Sequence, residues 1–96
     1  MIEIPVKNGA ENARQEFSVS LGGNLLVMTL NFLSYLDLPT WTIDVRRDGS
    51  PIILGVGLEP NAVIEMSVTL GKLVLVGNRP TLDNLGVSNK LIWAVE

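Results

Sequence analysis

The 96-residue chain contains no cysteine and no histidine. Without cysteine there is neither a disulfide framework nor a thiolate metal site. Without either residue the Ser-His-Asp and Cys-His constellations are impossible, and zinc loses its two commonest ligands. Charge is also sparse. Charged residues make up 18% of the chain, against about a quarter in an ordinary domain. The net charge is −3, and the basic residues Lys7, Arg14, Arg46, Arg47, Lys72, Arg79 and Lys90 are scattered. Nucleic-acid binders concentrate a basic footprint, and this chain has none. Only five aromatics occur, Phe17, Phe32, Tyr35, Trp41 and Trp93, too few for a base-stacking face. No apolar run approaches the roughly 18–20 residues that cross a bilayer, so no membrane insertion is expected. The Met1-Ile-Glu-Ile-Pro5 start lacks the basic-then-apolar build of a signal peptide. A protein that acts where it is made, or after assembly, is the corresponding expectation.

The groups that remain give little purchase for chemistry. Lys72 and Lys90 stand at strand starts, where a solvated role outweighs a serine-lysine one. The carboxylates Asp44, Asp48, Glu59, Glu65 and Asp83 show no spacing that implies an acid-base pair. Arg46-Arg47-Asp48-Gly49 is no calcium loop, because two arginines precede its single carboxylate. Gly55-Val56-Gly57 is followed by Leu58-Glu59-Pro60 and lacks the third glycine of a phosphate cradle; a bent strand explains it better. The expectation is a protein that is not an enzyme and uses neither cofactor nor metal.

What is present is β patterning. Trp41, Ile43 and Val45 alternate with Thr42, Asp44 and Arg46, the period of a strand with one dry face. Asp48-Gly49 supplies a tight hairpin turn. The return from Ile52 to Leu58 is apolar on both parities, as in a strand covered on both sides or lying in an interface. Phe17, Val19 and Leu21 lead through Gly22-Gly23-Asn24 into Leu26, Met28, Leu30 and Phe32, a second hairpin. Ile2, Ile4 and Val6 suggest a short strand that Pro5 marks as an edge. Ala62 to Ser67 reads equally as a strand or a helical turn. Lys72–Val76 and Lys90–Glu96 complete the set, with Leu91, Trp93 and Val95 on one parity. Six or seven short strands at turn-punctuated intervals predict one all-β domain over residues 1–96, an antiparallel β-barrel or β-sandwich.

Large apolar side chains in connections need cover. Tyr35, Leu36 and Leu38, between Leu33 and Pro39, either plug one end of the β core or form a contact patch. The candidate protein-contact positions are Ile2, Ile4 and Val6 on the edge strand, Tyr35, Leu36 and Leu38 in that connection, and Arg79, Asn84 and Leu85 in the loop after Val76. For that loop the plain alternative is a surface turn.

The succession Trp41-x-Ile-Asp-Val, Asp48-Gly49-x-Pro51-Ile, Gly55-Val56-x-Leu58 and Leu73-Val-Leu-Val76 resembles a family of small phage tail proteins, as do Pro80-Thr-Leu-Asp-Asn-Leu85 and Leu91-Ile-Trp93. These are the baseplate plug proteins of contractile-tailed phages, named from a cyanophage baseplate, and the likeness runs from about Phe17 onward. The resemblance implies a small β-barrel-like structural subunit in the virion tail baseplate, made in the host cytoplasm. It also implies packing against hub, spike or wedge proteins, as a homo-oligomer or within a hetero-assembly, with no catalytic residues to carry over. The competing reading is a free-standing β-barrel module for a sugar, peptide or other small ligand, which would need a concave site with convergent polar groups.

Overall fold

The computed structural model describes residues 2–34, 39–67 and 70–94. Eight strands occur among them: β1 (Ile2–Ile4), β2 (Arg14–Leu21), β3 (Asn24–Leu33), β4 (Thr40–Arg47), β5 (Ser50–Gly57), β6 (Val63–Ser67), β7 (Gly71–Gly77) and β8 (Asn89–Ala94). They form two four-stranded antiparallel sheets, ordered β1-β8-β7-β6 and β2-β3-β4-β5. A short 3-10 turn, Ala10–Asn12, precedes β2. The architecture is sandwich-like, and no closed barrel forms among the described residues. The count exceeds the expected six or seven because the segment left open between strand and helical turn is β6. Its Ile64 and Met66 alternate inward while Val63 and Glu65 face out, the period of two that a helical turn does not produce.

Both expected hairpins form around two-residue turns. Leu21 pairs with Asn24 across Gly22-Gly23, and Arg47 pairs with Ser50 across Asp48-Gly49, whose φ angles are 52° and 79°. Positive φ at both positions gives the turn the twist of the flanking strands.

The core lies between the sheets. Leu26, Met28, Leu30, Trp41, Ile43 and Val45 of one sheet meet Ile4, Leu73, Leu75, Leu91 and Trp93 of the other. Trp41 is fully buried, and the Phe32 ring stands edge-on to it at 5.3 Å between centroids. Each indole is tied by its N–H to a distant carbonyl: Trp41 Nε1 donates to Thr81 O and Trp93 Nε1 to Leu70 O, both at 2.8 Å.

β5 corrects one expectation. Among the described residues it is an edge strand with Leu54 54% exposed, so the first of the two readings, cover on both sides, does not hold within the chain. Its apolar character on both parities follows from irregular pairing. Val45 faces Ile53 and Ile43 faces Val56, so the register shifts between them and parity is reset. Gly55, at φ 63°, sits in that bulge and donates its N–H to Asp44 Oδ1 at 2.5 Å.

Candidate contact surfaces

The structure places the sequence-derived contact positions in different surroundings. Ile4 and Leu85 are each only 1% exposed and belong to the core. They are removed from the surface because Ile4 opposes Leu91 across the β1–β8 ladder and Leu85 packs inside the same hydrophobic cluster. Val6 is partly buried against that core. Ile2 is 44% exposed at the end of β1, which is an edge strand as the proline predicted. Tyr35, Leu36 and Leu38 lie outside the described residues.

Arg79 and Asn84 lie in the loop from Asn78 to Ser88, which is internally bonded. Asn84 Oδ1 accepts from Thr81 N at 2.6 Å and from Asn89 Nδ2 at 3.2 Å, while Asn84 Nδ2 donates to Arg79 O at 3.1 Å. Thr81 Oγ1 accepts from Asn84 N in return. Buried Asn89 accepts from Gly86 N and donates to Asn78 O. Leu82 O accepts from Gly9 N, tying the loop to the N-terminal segment. Arg79 reaches Glu59 at 2.8 Å in a surface ion pair. Asn84 is therefore the organising side chain of a turn. Replacing it, Asn84→Ala, is expected to cost about 1–3 kcal/mol by leaving backbone donors and acceptors unpaired. Urea denaturation checks this, and a loss under about 0.5 kcal/mol, the range of neutral surface changes, would contradict the bonded loop.

Two surfaces escaped the sequence reading. On the outer face of the β1-β8-β7-β6 sheet, Ile92, Val74 and Val63 form one cross-strand row, since Val74 opposes both of the others. Val63 is 53% exposed, and Val76 nearby is also exposed. The signal was available: β7 and β8 are apolar on both parities, in Leu73-Val-Leu-Val76 and Leu91-Ile-Trp93. The second surface is a groove of about 450 Å³ beside β2, lined by Pro5, Lys7, Asn12 and residues 14–18. Its upper wall is held by Gln15, whose side-chain amide accepts from Lys7 N at 3.0 Å and donates to Lys7 O at 2.7 Å. The groove is walled by one stretch, residues 5–18, that folds back on itself through the Lys7–Gln15 hydrogen bonds, and no residue pattern in that polar loop announces the fold-back.

Two of the carboxylates considered above, Asp44 and Glu59, have structural partners. Asp44 holds the Gly55 bulge and lies 3.9 Å from Arg46, and Glu59 pairs with Arg79. A two-sheet β sandwich with an apolar row on its outside and a hydrogen-bonded loop at one end defines a small β-structural protein. The whole chain, residues 1–96, matches the protein family described as cyanophage baseplate Pam3 plug gp18, and it belongs to that family. No curated protein matches the chain.

Proposed function

We propose that this protein is a structural subunit of a bacteriophage tail baseplate, a plug that acts through protein–protein contacts and not by catalysis. The observation that carries this reading is the family match over residues 1–96. The outward apolar row on β6, β7 and β8 and the low charge content support it, because such surfaces favour association. Its partners are other baseplate proteins of the hub, spike or wedge, and its place is the virion tail. A small-ligand module would instead use the groove beside β2, whose wall includes a bare strand edge that suits a chain better than a small molecule.

Mass spectrometry of purified virions and of isolated tails tests the role. The protein should be present in both, and an amber mutation in its gene should give particles with defective baseplates. Its absence from tails, with assembly undisturbed by the mutation, would overturn the reading.

A further inference from the structure

The sandwich has four sheet edges, and they are not equivalent. β1 is three residues long and is followed by Pro5. β5 carries Pro51 and two register shifts. β6 has five residues and a register shift. Short length, proline and bulges are the devices by which proteins blunt an edge. β2 has none of them: its eight residues run in unbroken register with β3, from Arg14↔Asn31 to Leu21↔Asn24.

The hairpin fixes which backbone groups β2 leaves open. Leu21 and Asn24 close a two-residue turn, so they exchange hydrogen bonds, and the alternation continues through Val19, Phe17 and Gln15. Arg14, Glu16, Ser18 and Ser20 therefore turn their N–H and C=O groups away from β3, and no strand among the described residues pairs with that side. Phe17 and Val19, on the core-facing parity, are only partly buried, because the sheet ends beside them. The groove runs along this same edge.

We propose that β2 pairs antiparallel with β2 of a second copy of this chain, joining two four-stranded sheets into one continuous sheet about a two-fold axis at Phe17. In this register Arg14 opposes Ser20 of the other copy and Glu16 opposes Ser18. All four open residues of each copy find a partner, giving about eight backbone hydrogen bonds. No like charges stand directly opposite one another. On the inner side Phe17 meets its symmetry mate and Val19 meets Gln15, so the core continues across the junction and the groove is filled. Such a pairing is isologous and closes on itself. It specifies one contact within the proposed assembly role, and it is tested on purified protein so that its outcome is separate from whether the chain occurs in tails.

Sedimentation velocity over a concentration series should show a dimer. Ser18→Pro should raise its dissociation constant at least tenfold while leaving circular dichroism unchanged, and melting unchanged at concentrations low enough for both proteins to be monomeric, since the lost N–H points away from β3. Because the chain has no cysteine, a second variant pair gives independent evidence. Glu16→Cys protein mixed with Ser18→Cys protein should form the hetero-disulfide under mild oxidation, well above either homodimer. Both positions are exposed, so these variants keep the fold. A wild-type monomer throughout the series, or a dimer that yields no preferred hetero-disulfide, overturns the proposal.

Discussion

Gly77→Ala is expected to destabilise the protein by about 3 kcal/mol or more, lowering the melting temperature by roughly 15 °C in a domain of this size. Gly77 ends β7 with φ 111°, a conformation that L side chains rarely adopt. Space is the larger obstacle. A Cβ there would stand 2.5 Å from Ser88 O and 2.9 Å from Asn89 Cα, both backbone atoms that no rotamer change can move. Relief would require pulling β7 from β8 at the Gly77↔Asn89 pair and disturbing buried Asn89, which braces the adjoining loop. Gly23→Ala is the matched control. Its φ is also positive, at 83°, but a Cβ would meet nothing within 4 Å, so only backbone strain of about 1 kcal/mol is expected. Thermal melts of the two variants separate packing from strain. Equal losses would mean that the close approach of β7 to the loop does not hold in solution.

Trp41→Ala should cost about 3–5 kcal/mol, the range for emptying an aromatic site in a packed core. Three contributions are lost together: the fully buried indole, its edge-on contact with Phe32, and the hydrogen bond from Nε1 to Thr81 O. Trp41→Phe divides them. It keeps an apolar ring but leaves the Thr81 carbonyl without its donor, at a cost of about 1–2 kcal/mol for the unmade bond plus imperfect fit. Urea denaturation of both variants, followed by circular dichroism, measures the split. A loss near 0.5 kcal/mol for Trp41→Ala would show that the indole is not the centre of this core.

The same residue shows why parts of the fold were legible in the sequence. Trp41, Ile43 and Val45 announce an inward parity because a half-buried strand writes its burial into every second residue. Asp48-Gly49 and Gly22-Gly23 announce turns because few residues accept their dihedral angles. β6 was ambiguous since five residues such as Val63–Ser67 are too short for either period to declare itself. β5 misled because its bulges reset parity, and the pairing that causes them lies on β4. Contact residues were the least legible. Ile4 and Leu85 look like any apolar residues near a loop or edge, and only long-range pairing buries them. The open side of β2 is likewise invisible locally, since being an edge is a property of the whole sheet.

The two sheets are assembled from differently arranged stretches of chain. The β2-β3-β4-β5 sheet is a meander in which each strand pairs with its sequence neighbour. The other sheet takes one strand from the beginning and three from beyond residue 62, with Ile2 against Trp93 and Ile4 against Leu91. Local pairings close short loops and form fast, whereas pairings across most of a chain form slowly. On a ribosome, the meander can complete while β8 is still unmade, and Ile4 stays without its cover until residues 89–94 emerge. The order of synthesis thus leaves β1, made well before its partner β8, among the last strands to find its place.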